Sequence, residues 1–144
     1  MTVETILIDC DGVLTDGCLT IDHRGEKMFK KFHTRDVRAI RELVFSGYCV
    51  VLVTADDWPG IYTFADKVGA EVLILKDKQI LPYSNFHAVG DDAWDVPMLA
   101  AAVRAFVPAD ADASVLALPN VVHLKTCGGK GVIAEVVANL LQDK

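Results

Sequence analysis

The apolar run Thr5-Ile6-Leu7-Ile8 ends in two acids and a glycine, Asp9-Cys10-Asp11-Gly12, an order that few folds accommodate. Side chains two residues apart on a strand share a face, so Asp9 and Asp11 point the same way. A strand closing on acids beside glycine sets them in the crevice where open α/β sheets bind ligands, and Gly12 lets the backbone turn there. Two like charges this close stay ionised together only beside a cation, which argues for a hard divalent metal. Turn or cap acids are the duller alternative, but acids at the end of an apolar strand are poor packing choices.

The rest of the chain alternates apolar runs with helical patterns. Cys18 to Ile21 and Lys27 to Phe32 flank the turn-rich Asp22-His23-Arg24-Gly25-Glu26 and predict a β-hairpin over 18–32 that projects from the active edge. Thr34 caps a helix with Val37, Ile40, Leu43 and Val44 on one face, and Gly47 ends it. Tyr48 to Val53 forms a second core strand ending at Thr54. Asp57 and Pro59 open a helix that buries Ile61, Phe64, Ala65 and Val68. Strands follow at Val72–Leu75, His87–Val89, Ala105–Val107 and Val121–Leu124, with helices at Ala93–Ala102, Ala109–Leu116 and Val132–Leu141. This pattern predicts a Rossmann-like α/β three-layer sandwich around a mostly parallel sheet.

Composition narrows the options. A chain of 144 residues, 52% hydrophobic, buries one core and has no room for a second folded domain, so residues 1–144 read as a single domain. A formal charge of −6 repels polyanions, and no nucleic-acid partner is expected. No apolar run approaches the roughly 18 residues of a membrane span, and no basic region precedes an apolar stretch at the N-terminus, so a cytoplasmic protein without a membrane partner is expected. Cys10, Cys18, Cys49 and Cys127 form no CxxC pair and read as reduced thiols.

The string Asp9-Cys10-Asp11-Gly12-Val13-Leu14-Thr15-Asp16-Gly17 resembles the first motif of the haloacid dehalogenase (HAD) superfamily, in the DxDGxxTDG form of its capless sugar-phosphate phosphatases. Thr54, Lys78 and Gly90-Asp91-Asp92 with Asp95 follow in that superfamily's order, and the likeness, strongest to the 3-deoxy-D-manno-octulosonate 8-phosphate phosphatases, runs from Glu4 to about Leu141. The resemblance implies a Mg²⁺-dependent phosphomonoester hydrolase, without a cap domain, that works through an aspartyl-phosphate on a small sugar phosphate such as a 3-deoxy-octulosonate 8-phosphate-like acid sugar. A phosphate dianion repels an anionic nucleophile until cations neutralise its oxygens, and the implied roles meet that need. Asp9 is the nucleophile and a metal ligand. Asp11 is the general acid–base, its carbonyl on the metal. Asp91 completes the protein ligands, Asp92 and Asp95 support them, and Gly12 shapes the turn. Thr54 and Lys78 bind the phosphoryl group. Alone, Thr54 is a small residue at a strand end and Lys78 a solvated charge near Lys76, so the order of motifs gives them their meaning.

Three departures stand out. Ala55-Asp56 occupies the place of the family's Gly-Arg, putting an anion where a cation is expected, which disfavours a strongly anionic substrate at that edge. In the tail, Gly128 to Glu135 matches GGxGxxRE except for Ala134 in place of arginine, leaving Lys130 or Arg35 to meet a substrate carboxylate. Between Lys78 and Gly90, where the family fits a helix, residues 79–89 include Pro82, so this crossover between neighbouring strands is expected to lack a helix and leave the face beside Lys78 bare or covered by another subunit. Relatives cover the open site with a neighbour's hairpin in a homotetramer, and Leu19, Ile21, Met28, Phe29 and Phe32 are apolar enough for that use. A nucleotide or polynucleotide-end phosphatase and a catalytically silent assembly or regulatory domain are the competing readings.

Overall fold

Every pairing within the central sheet is parallel, and the strand order turns back on itself at the first strand. The computed structural model describes residues 2–27, 29–79 and 81–142. Six strands, β1 Thr5–Asp9, β2 Cys49–Thr54, β3 Glu71–Ile74, β4 Phe86–Val89, β5 Ala105–Val107 and β6 Val121–His123, lie in the order β3-β2-β1-β4-β5-β6. The chain builds outward from β1 to β3, then restarts at β4 on the other side of β1. That reversal opens a crevice at the carboxyl ends of β1, β2 and β4. Thr5 pairs with both Cys49 and Phe86, so the three strands end nearly level, at Asp9, Thr54 and Val89.

Alternation along the strands feeds two cores. Ile6, Ile8, Val50 and Leu52 face α1 (Thr34–Phe45), α2 (Gly60–Val68) and α5 (Val132–Leu141). Leu7, Val51, Val53 and Ala88 face α3 (Val96–Ala101) and α4 (Ala113–Leu116), completing the three layers. Strands buried on both faces read as continuous apolar runs, which is why β1 and β2 stand out in the sequence.

The structure differs from the sequence expectations in five places. His33, not Thr34, caps α1, its Nδ1 accepting the Arg35 amide at 3.1 Å. The helix expected over Ala93–Ala102 divides into a 3₁₀ turn at Ala93–Asp95 and α3, because Pro97 has no N–H to give the first turn. Ala109–Leu116 is helical only over α4, since the Ala109 and Asp112 amides bond the carbonyls of Thr126 and Asp91 instead. Among the described residues the hairpin keeps one antiparallel bridge, Ile21 with Lys27, because its second limb is drawn onto the body of the protein. Met28 lies outside the described residues.

The fifth difference concerns residues 75–85. They contain no helix among the described residues, as expected, but β3 and β4 are not neighbours: β2 and β1 stand between them, about 14 Å of sheet at the usual strand spacing. Leu81 and Tyr83 of this link pack against the second core, so the face beside Lys78 is partly covered by its own chain.

Candidate active site

The first motif folds as a wide turn, Cys10–Leu14, closed by the Thr15 amide on the Cys10 carbonyl at 3.2 Å. Thr15 ties it inward. Its Oγ1 accepts from the Gly12 and Gly17 amides at 3.3 and 3.2 Å and donates to Asp11 at 3.5 Å. Gly12 is needed twice, for its φ of 87° and because a Cβ there would stand 1.7 Å from the Asp91 carboxylate. Gly90 answers to the same crowding, since its Cβ would fall 2.6 Å from that of Asp95. The tail closes the other side: Gly128 and Gly129 lie against the backbone of Gly12, Thr15 and Asp16, with the Gly129 amide on the Val13 carbonyl at 3.1 Å.

Asp9, Asp91 and Asp95 gather at the crevice, each offering one carboxylate oxygen, all within 4.8 Å of one another. Lys78 is buried among them, donating to Asp9 at 2.8 Å and to Asp95. Asp95, cast by the sequence as a support, also accepts the amides of Asp91 and Asp92 at 2.8 and 3.2 Å, locking the fourth motif into its turn. Thr54 is buried at the end of β2, its Oγ1 accepting the Asp56 amide at 3.1 Å, which leaves its hydroxyl hydrogen to aim at an acceptor in the crevice.

Burial raises Asp9 well above the ordinary carboxylate range, the charge of Asp95 adds to this, and Lys78 opposes both. Burial likewise pushes Asp91 up to about 6, and its Oδ1 is buried without a hydrogen-bond partner. Burial would pull the Lys78 ammonium down, but Asp9 and Asp95 outweigh it and hold it above the usual lysine value. Carboxylates short of positive charge, one with an orphaned oxygen, are the donor set of a hard divalent cation, and the residues present fit one.

Asp11 stands apart from this group. Its side chain is 47% exposed and takes Lys30 Nζ on both oxygens, at 2.9 and 3.1 Å. Lys30 also reaches Asp56 at 3.1 Å, and Lys27 reaches the same Asp56 oxygen at 2.6 Å. The anion at the second motif is therefore neutralised by two lysines of the 18–32 arm. Burial would raise Asp56, yet Lys27 and Lys30 bring it below its usual value. Sequence reasoning missed Lys30, because in the run Lys27 to Lys31 every lysine looks solvated. It also missed Thr15 as the knot of the turn, although Thr15 lies inside the quoted motif.

One cavity of about 360 Å³ is lined by Asp9, Asp11, Thr54, Asp56, Lys78 and Trp94, among others. Asp92 lines it too. Lys76 is exposed at its edge, and Lys78, rather than Lys76, reaches Asp9. Lys130 and Arg35 are not among its walls; Lys130 belongs to a smaller depression with Asp16 and Lys31.

No family model matches the chain. It is 33% identical to the 3-deoxy-D-manno-octulosonate 8-phosphate phosphatase KdsC of Haemophilus influenzae over 97% of this chain and 83% of that protein. The cobalt-bound structure of that phosphatase from Haemophilus influenzae superposes with a TM-score of 0.87 at 29% identity, covering 97% of this chain and 88% of the other. The Yersinia pestis phosphatase of the same name superposes at 0.86 with 26% identity, over 97% and 81%. With the motifs in place on this fold, the chain belongs to the 3-deoxy-D-manno-octulosonate 8-phosphate phosphatase family, a capless branch of the HAD superfamily, and is a phosphatase.

Proposed function

We propose that this chain hydrolyses a small sugar phosphate, of the class of 3-deoxy-octulosonate 8-phosphate-like acid sugars, with Mg²⁺ as its cofactor and an aspartyl-phosphate as intermediate. The observation that carries the reading is the trio of half-buried Asp9 and Asp91 and buried Asp95 around Lys78, at the carboxyl ends of β1 and β4. Mg²⁺ bound to Asp9, Asp91 and the Asp11 carbonyl would supply positive charge to the phosphoryl oxygens and to the nucleophile.

Asp9 attacks phosphorus in line with the leaving oxygen, and the bond from phosphorus to the sugar oxygen breaks as the carboxyl–phosphorus bond forms. Lys78 and the Thr54 hydroxyl oppose the charge that spreads over the phosphoryl oxygens. Asp11 gives the departing alkoxide its proton, then takes one from the water that attacks the aspartyl-phosphate, releasing phosphate and restoring Asp9. Asp92 supports the turn that carries Asp91. Lys30 holds Asp11 until substrate enters, and its second partner, Asp56, lets it release Asp11 without stranding its own charge. The paired Lys27 and Lys30 also offset the anion of Asp56, so an acid sugar is not barred from that edge.

The cavity, about 360 Å³, lies at the low end of the roughly 300–1,000 Å³ of ligand sites and has room for a monosaccharide phosphate. A homotetramer in the cytoplasm completes the proposal: Leu19, Ile21 and Phe29 of the arm are exposed, and the four cysteines are unpaired, as a reducing compartment requires. The test is Mg²⁺-dependent phosphate release from sugar phosphates, nucleotides and p-nitrophenyl phosphate. Asp9→Asn is expected to lower it by about a thousand-fold or more, as the loss of a nucleophile does. Release by the variant at the wild-type rate refutes the assignment, and no release from any compound by wild type favours a silent assembly domain.

A further inference from the structure

Trp94 is 72% exposed, yet it lines the same cavity as the nucleophile. It sits on the turn Ala93–Asp95, which is fixed at both ends: Asp92 and Asp95 cap each other reciprocally, and Asp95 holds Lys78 and the Asp91 amide. The indole is therefore carried on one of the most constrained segments of the site and left open to water. An open indole keeps a large apolar surface hydrated, and aromatic faces of this kind in ligand cavities serve to pack against what enters.

The walls beside it divide in character. Ala55, Leu75 and Trp94 are the apolar residues of the cavity lining, while Asp56 and Lys76 bring charge. The phosphoryl end is already provided for by Asp9, Thr54 and Lys78, so the apolar residues are left for the leaving group. Sugars in ring form carry an apolar face of C–H groups and a polar edge of hydroxyls, which matches a lining of mixed apolar and charged residues.

Resting on the phosphatase reading above, we infer that Trp94 is a specificity-determining residue, whose indole stacks on the carbon face of a cyclic sugar leaving group while Ala55 and Leu75 complete the apolar wall. The class selected is a phosphorylated monosaccharide in ring form, against open-chain or very small phosphate esters.

The test compares wild type, Trp94→Phe and Trp94→Ala, as full chains with Mg²⁺, on cyclic sugar phosphates and on methyl phosphate, whose leaving group is too short to reach the indole. Trp94→Ala is expected to lower kcat/KM for the ring sugar about ten-fold more than for methyl phosphate, mainly through KM, with Trp94→Phe retaining most of the preference. In Asp9→Asn protein the ring sugar phosphate should change the tryptophan fluorescence, and the added Trp94→Phe substitution should abolish that change. Equal losses on both esters, or a fluorescence change that survives Trp94→Phe, overturn the inference while the phosphatase reading stands. A loss of oligomer in Trp94→Ala with KM unmoved also overturns it, making the indole a subunit contact. Wild-type protein that hydrolyses neither ester defeats the phosphatase reading, and the fluorescence result then decides the role of Trp94 alone.

Discussion

Lys78 donates to two carboxylates, the half-buried Asp9 and the buried Asp95, and its removal would strand both. Breaking one partner from a buried ionic group costs roughly 3–5 kcal/mol, so Lys78→Met should lower the unfolding free energy by about 3 kcal/mol at neutral pH in urea denaturation. A change below 1 kcal/mol would show that the pairs loosen in solution. Gly12 makes a different kind of prediction. A methyl group there would overlap Asp91, so Gly12→Ala should displace that carboxylate and cut Mg²⁺-dependent phosphate release at least about a hundred-fold, the usual cost of an ångström-scale misplacement, while circular dichroism stays native. At this scale the acids were legible because carboxylates at the end of an apolar strand have no packing role. Lys30 was not, because what distinguishes it is its contact with Asp11 and Asp56, 19 and 26 residues away in sequence.

Between elements, Asp36 joins α1 to α5. It lies in the first turn of α1, fully buried, and accepts the Ile133 and Ala134 amides at the start of α5 at 2.9 and 3.3 Å. Burial raises it to about 6, only partly offset by those amides. The folded state thus holds the Asp36 proton more tightly than the unfolded chain, so its contribution to stability is whole below pH ~4 and is lost as pH rises through about 6. Asp36→Asn removes the titration. The stability of the variant relative to wild type should therefore grow by on the order of 2 kcal/mol between pH 4 and pH 7, read from Tm against pH, and a constant difference would rule the group out. Helix α5 was legible to the residue, Val132–Leu141, because its apolar period runs unbroken after a glycine. α4 is shorter than its sequence suggests, because alanine favours a helix that two long-range backbone bonds forbid.

For the whole molecule, alternation gave the α/β class, but strand order was beyond it: the short link after β3 looked like a crossover between neighbours and is instead a return across the sheet. Patterning records how each segment is covered, not which segment lies beside it. The arm raises the same difficulty. Its base is fixed by Phe32, stacked on Phe64 at 3.9 Å, and by Lys27 and Lys30, while Leu19, Ile21 and Phe29 remain exposed. If these residues close a neighbour's site, sedimentation velocity at micromolar concentration should give a tetramer that Leu19→Ser/Phe29→Ser shifts toward monomer. A wild-type monomer under those conditions would leave each site open.

The contact of Gly128 and Gly129 with the turn that carries Asp11 and Gly12 joins two segments far apart in the sequence in one wall. During synthesis the strand that ends in Asp9 is made long before the surface that braces its turn, which waits for Gly128 and Gly129. A nascent chain that stalls before Gly128 carries every acid of the candidate site and lacks the backing that shapes its turn, so the turn is fully braced only once residues 128 and 129 have been translated.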